Sequence, residues 1–188
     1  MIALQKICLF ISIILFSFSC KKNIEFNSDL PDSVELNEAV VFLNGDRKDE
    51  YDVITVRNRE VYQIMAYGFS NLHSDIAGVT SLSFDRCPRS VGRFTLSSDN
   101  QATITDETAC YASLTQTVYE DLDGQEFELQ DDSDNYLEIT ELDYENKYAS
   151  GHFKAKFKRT SNGGSGIDDV KLPKWVTFEG IFSQEFEE

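Results

Sequence analysis

At 188 residues, with 33 Asp and Glu against 17 Lys and Arg, the chain carries a formal net charge of −16. That balance argues against a DNA or RNA partner, since binding to a phosphate backbone is driven by Lys and Arg displacing counterions. Its 41% apolar and 12% aromatic residues argue equally against wholesale disorder and suffice for the core of one domain.

The chain opens MIALQKICLFISIILFSFSC, in which Lys6 is the only charged side chain and ten of the twelve residues from Ile7 to Phe18 are apolar. A charged start followed by so short an apolar run has the form of a secretory signal, too short to span a bilayer as a mature helix. Its end, Ser17, Phe18, Ser19 and Cys20, resembles the lipobox of bacterial lipoproteins, with Phe18 departing from the more usual Leu-Ala/Gly spacing. The resemblance implies that residues 1–19 are removed and that Cys20 becomes the mature N-terminus, diacylated at sulfur and acylated at nitrogen. Acyl chains at ~0.8 kcal/mol per buried methylene then hold the protein on a membrane. Lys21 stands where an Asp favours inner-membrane retention in lipoproteins, which implies the outer membrane. Lys21, Lys22 and Asn23 replace the acidic run of some surface-exported lipoproteins, which favours a periplasm-facing position over the cell surface.

In an exported chain with Cys8 removed and Cys20 lipidated, Cys87 and Cys110 remain as a pair and are expected to form one disulfide. Closing a loop of roughly 24 residues contributes ~3 kcal/mol in the chain-entropy account. No CxxC spacing accompanies them, and only His73 and His152 stand by to complete a zinc site.

Residues 20–36 read as the lipidated Cys and a flexible tether, and 37–188 as the folded domain. From there the pattern is strand after strand: VVFL, VITVR, VYQIMAYGF, TSLSF, GRFTLSS, QATIT, TQTVYED, QEFELQD, YLEITEL, HFKAKFKR and WVTFEGIFSQEF. Asn44 with Gly45, and Asp123 with Gly124, are two-residue hairpin signals. No window carries a sustained helical stripe. The expected fold is all-β, a single antiparallel sandwich of roughly ten short strands, with a closed or flattened lipocalin-like barrel as the alternative. Alternation turns Phe153, Ala155 and Phe157 inward and His152, Lys154, Lys156 and Lys158 outward, with Leu137 and Ile139 inward on the preceding strand. A turn around Asn146 is expected to place Ile139 opposite Phe153 and Glu138 opposite Lys154. Trp175 falls on the face opposite Val176 and Phe178.

The run from Tyr136 to Asp143, the Ser150-Gly151-x-Phe153 strand, the glycine-rich loop and the closing Gly180-x-Phe182 strand resemble an uncharacterised family of Bacteroidetes outer-membrane lipoprotein domains. The likeness covers about two thirds of the mature chain. It implies an outer-membrane-anchored β fold and supplies no active site. Gly151 and Gly180 read as a bulge or a close backbone approach.

His152 sits on a wet, lysine-rich face, and His73 shares a loop with Ser70, Ser74 and Asp75, but sequence proximity is no evidence of a triad. No G-x-S-x-G elbow is present. Alternating acids at Asp121 and Asp123, and at Asp131, Asp132, Asp134 with Asn135, have the oxygen chemistry of calcium ligands. The same residues are those that tight turns favour. Tyr136, Tyr144, Tyr148 and Trp175 are candidates to stack on a glycan. No cofactor motif is found. The sequence therefore points to a lipid-anchored, non-enzymatic binding or interaction module of the envelope, its partner an envelope protein or a glycan. A glycan hydrolase and a carrier of a small apolar ligand are the competing readings.

Overall fold

A computed structural model describes residues 30–48, 52–59, 64–73, 78–99, 108–118, 122–163 and 172–187. The regular elements there are all strands: β1 Glu38–Leu43, β2 Asp46–Lys48, β3 Asp52–Arg59, β4 Ile64–His73, β5 Gly78–Pro88, β6 Gly92–Ser97, β7 Ala109–Val118, β8 Leu122–Leu129, β9 Tyr136–Asp143, β10 Tyr148–Ser161 and β11 Trp175–Glu187. The signal segment, Cys20, the QATIT strand and Asp121 lie outside the described residues.

The eleven strands form one sheet, ordered β2-β1-β11-β3-β4-β5-β7-β6-β9-β10-β8, with further pairings of β11 to β10 and of β7 to β8. Those two pairings bring the sheet back onto itself. β11 bonds β3 at one end of its free edge and β1 along the rest, while its other edge takes β10. β7 and β10 are bridged by β6 and β9 over one stretch and by β8 over another. The result is an all-β fold built on one large sheet, as expected, and consistent with a sandwich or a barrel-like arrangement. It is mixed rather than wholly antiparallel, because β3 runs parallel to β11 and β6 parallel to β7.

Asn44 and Gly45 both take left-handed backbone, with φ of 53° and 88°, and make the two-residue turn of the β1–β2 hairpin. This conformation matches the strand twist and suits Asn and Gly above other residues. The Asn44 side chain also accepts from the Thr177 N–H at 2.8 Å, tying the turn to β11. The second expected turn is displaced. Asp123 and Gly124 lie inside β8, with Asp123 opposite Thr117, at an irregularity of the β7–β8 ladder. A Cβ on Gly124 would come within 1.9 Å of the Gln116 carbonyl oxygen, so that glycine serves a close strand approach.

The expected alternation on β10 holds: Phe153, Ala155 and Phe157 are fully buried, while His152, Lys154, Lys156 and Lys158 are not. Leu137 and Ile139 are likewise buried. The register between β9 and β10 differs from the expected one. Leu137 lies opposite Phe153, Glu138 opposite His152 and Tyr136 opposite Lys154. Two one-residue shifts make the difference: the turn sets Tyr148 opposite Asp143, one residue from the expected register, and a bulge between Ser150 and Gly151, where the ladder steps from Glu141 to Ile139, adds the second. Without that extra residue the continuing register would set Phe153 opposite Glu138; with it, core meets core. Gly151 occupies the step because a Cβ there would lie 2.2 Å from the Glu138 carbonyl oxygen. Gly180, opposite Phe153, leaves room for that ring, which a Cβ would approach to 2.6 Å.

The interior is filled by aromatic rings meeting across it. Phe84 of β5 lies 5.2 Å from Phe153 of β10, and Tyr67 of β4 lies 5.5 Å from Phe182 of β11, both tilted. Each such fully buried side chain contributes about 1.5–3 kcal/mol. Cys87 and Cys110 are also buried in this core, and they are free thiols: the expected disulfide is not formed in the structure. Burial, first of all, and a hydrogen bond with Cys110 push the Cys87 thiol well above its ordinary range.

Candidate functional site

A groove of about 470 Å³ runs along the outer face of β9, β10 and β11. One wall is the segment from Asp32 to Leu36; the other is Thr140, Glu141 and Tyr148, and Ser150, His152, Ile181 and Ser183 form the floor. The segment that builds the first wall is pinned just beyond it. Asn37, at φ 67°, accepts through Oδ1 from the Glu185 N–H at 3.1 Å and from Gln184 Nε2 at 2.9 Å. Glu38 N–H donates to the Glu35 carbonyl at 3.2 Å and closes the turn before β1.

The floor follows from the pairing of β10 and β11. Ser150 lies opposite Ser183, and its Oγ donates to the Ser183 Oγ at 2.9 Å. Ser183 keeps its own proton to donate. Tyr148 hydroxyl donates to Glu141, which raises the phenol above its ordinary range and leaves the second carboxylate oxygen of Glu141. The bulge at Gly151 brings these side chains together, because it offsets β9 against β10 next to Thr140 and Glu141.

His152 ends the groove and begins a polar row. Its Nε2 lies 3.2 Å from Glu138 Oε2, which also faces Arg93 Nη1 at 3.6 Å. The Arg93 guanidinium stacks 3.6 Å over the Tyr136 ring, and Tyr136 meets His152 edge-on at 5.6 Å. Partial burial raises the Tyr136 phenol, opposed by Arg93. Ser150 and His152 share a face two residues apart, roughly 7 Å along a strand. Ser150 donates to Ser183 rather than to His152, so no nucleophile–base contact is made here.

The other sequence candidates are placed as follows. His73 ends β4 opposite Gly78, and Asp75 lies outside the described residues. The acids from Asp131 to Asp134 form a turn. Asp132 Oδ1 accepts from the Asp134 N–H at 3.0 Å, and Oδ2 faces Lys156 Nζ at 3.2 Å. Those two partners hold the Asp132 carboxyl below its ordinary range. Asn135 is buried and spends its amide on the Gln130 carbonyl and the Lys156 N–H. Among the described residues no group of three or more His, Cys, Asp or Glu is placed to hold a metal ion. Trp175 faces outward at 48% exposure, with the Lys158 ammonium 5.6 Å from its ring. Tyr144 donates to the Arg89 carbonyl at 3.2 Å and does not line the groove.

The sequence reading missed Ser150, Ser183 and Glu141, since they meet only through the pairing of three strands. One sign was legible: Ile181 alternates outward from Gly180 and Phe182, an apolar residue between the polar Glu179 and Ser183 of the same face. No helix among the described residues is long and apolar enough to cross a membrane. Comparison of the chain with protein families, with curated proteins and with solved structures finds no match.

Proposed function

We propose that this is an exported lipoprotein, anchored in the outer membrane through Cys20 and facing the periplasm, that acts as a non-enzymatic binding module. The lipobox-like segment supports the anchor, and the strand-and-glycine pattern of the C-terminal half supports the kinship with Bacteroidetes lipoproteins. The observation that carries a binding role is the groove between residues 32–36 and the β9–β10–β11 face. Its size falls within the range of small-ligand sites. Ser183, Glu141 and Thr140 supply hydroxyl and carboxylate partners, and Ile181 and Tyr148 supply apolar surface. Asp32, Glu141 and the adjoining Glu138 disfavour an anion. The ligand class that fits is a neutral, hydroxyl-rich one, an envelope glycan. The filled core, with rings meeting across it, gives no support to an apolar-ligand carrier.

Titrating isotopically labelled protein with neutral disaccharides, including the N-acetylglucosamine disaccharide, to about 10 mM tests this by amide shifts. The expected shifts fall on residues 148–152 and 181–183 and weaken at least several-fold in Tyr148→Ala and Ser183→Ala. Shifts centred elsewhere, or none with any neutral sugar, contradict the reading.

A further inference from the structure

β1 leaves the edge of β11 early. Its register runs from Leu43 opposite Phe178 to Glu38 opposite Ser183, and β3 takes that edge at Phe186 and Glu187, so Gln184 and Glu185 lie between the two partners. Carried further, the β1 register would set Leu36 opposite Glu185, with its carbonyl against the Glu185 N–H. Asn37 prevents this. At φ 67° it takes left-handed backbone, which asparagine tolerates better than most residues, and the chain turns off the sheet edge. Its side chain then supplies what the strand does not: Oδ1 accepts from the Glu185 N–H at 3.1 Å and from Gln184 Nε2 at 2.9 Å, standing in for the Leu36 carbonyl. Because the chain turns there, residues 32–36 wall the groove on the outer face of β9, β10 and β11 instead of extending β1.

Among the described residues the hydrogen bonds of this wall sit at its C-terminal end. Glu38 N–H donates to the Glu35 carbonyl and Glu35 N–H to Glu38 Oε2, both at 3.2 Å, which folds the turn on itself. The two bonds at Asn37 fix that turn against β11. Leu36 stays 48% exposed and adds little packing to hold the wall down. We infer that Asn37 is the positioning residue of the groove: it holds residues 32–36 as a hinged strap whose distance from the floor of Ser150, His152, Ile181 and Ser183 sets the fit to the ligand. The inference rests on the reading of this groove as a sugar site. The strap carries Asp32 and Ser33, so sugar hydroxyls meet that carboxylate and that hydroxyl only while the strap is down. A protein whose strap is in place for part of the time binds with its affinity reduced by that fraction, and a sugar that touches both walls in turn holds the strap.

The test uses the full chain, isotopically labelled, as the parent and as Asn37→Gly and Asn37→Asp. Glycine keeps the left-handed backbone and removes the accepting oxygen, whereas aspartate keeps that oxygen. Backbone order parameters of residues 32–36, measured without ligand, should fall below about 0.6 in Asn37→Gly and stay at the parent's values in Asn37→Asp. The N-acetylglucosamine disaccharide should bind Asn37→Gly at least about five-fold more weakly than the parent, and Asn37→Asp within about two-fold of it. A structural role alone would lower the melting temperature of Asn37→Gly without moving the affinity. A strap as ordered in Asn37→Gly as in the parent overturns the clamp. So does an unchanged sugar affinity in a variant whose strap has loosened. If the parent binds no neutral sugar, the reading of the groove fails instead, and the clamp stands or falls on the order parameters.

Discussion

Tyr67 and Cys87 tie the stability of the core to alkaline pH. Burial raises the Tyr67 phenol well above 10.0 and the Cys87 thiol well above 9.0, so both stay neutral in the folded protein while the unfolded chain ionises. Stability from such groups is complete below the unfolded value and is lost as pH rises from there toward the folded one. The protein should therefore lose stability from about pH 9 upward, and a Cys87→Ala variant, with no thiol there to ionise, should begin only near 10. Tyr67→Phe removes a hydroxyl that has no partner, so at neutral pH it should stabilise or leave stability unchanged, within ~1 kcal/mol, and flatten the alkaline loss. Urea midpoints followed across pH 7 to 11 check both statements. Residue-scale burial was legible wherever alternation ran unbroken, as at Phe153, Ala155 and Phe157. It was not legible at Cys87, which unbroken alternation from the buried Phe84 would turn outward but which is buried, because the left-handed backbone at Arg86, φ 56°, leaves no mark in a residue pattern.

Element boundaries follow the same division. The Asn44 and Gly45 turn could be read from two residues, since its backbone conformation restricts which side chains fit. Asp123 and Gly124 offered the same signal, but that glycine serves a close approach to Gln116 instead. The β9–β10 register was misplaced by two residues, one from the turn, which sets Tyr148 opposite Asp143, and one from a bulge, a long-range accommodation between two inward patterns that belongs to neither strand alone. The two kinds of glycine should respond differently to one added methyl. Gly151→Ala must displace β9 backbone, because its Cβ would sit 2.2 Å from the Glu138 oxygen, and should cost about 3 kcal/mol or prevent folding. Gly45→Ala meets nothing within 4 Å and suffers only its φ of 88°, a loss of about 1 kcal/mol. Chemical denaturation of both variants against the parent gives the ranking, and equal losses would mean the bulge tolerates a side chain.

For the whole molecule, strand content was readable from composition and spacing, but closure was not. The pairings of β10 with β11 and of β7 with β8 that return the sheet to itself join segments whose sequences carry no record of their partners. The groove is a product of that closure, since it lies where β9, β10 and β11 run side by side and the chain entering from the N-terminus crosses them. On the lipoprotein reading, the same entering chain leads back to the lipid, so one short segment both tethers the domain and walls its site. With −16 formal charge the chain should not adsorb to anionic lipid, so on that reading attachment would rest on Cys20. The most direct measurement is the intact mass of the protein recovered from its own cell envelope, alongside fractionation of a Cys20→Ala variant. The account predicts a chain that begins at Cys20 and carries acyl groups, found with the membranes, and a variant that is not lipidated and is released from them. A chain that retains residues 1–19 or starts elsewhere without lipid, or a variant that still sediments with membranes, would contradict it.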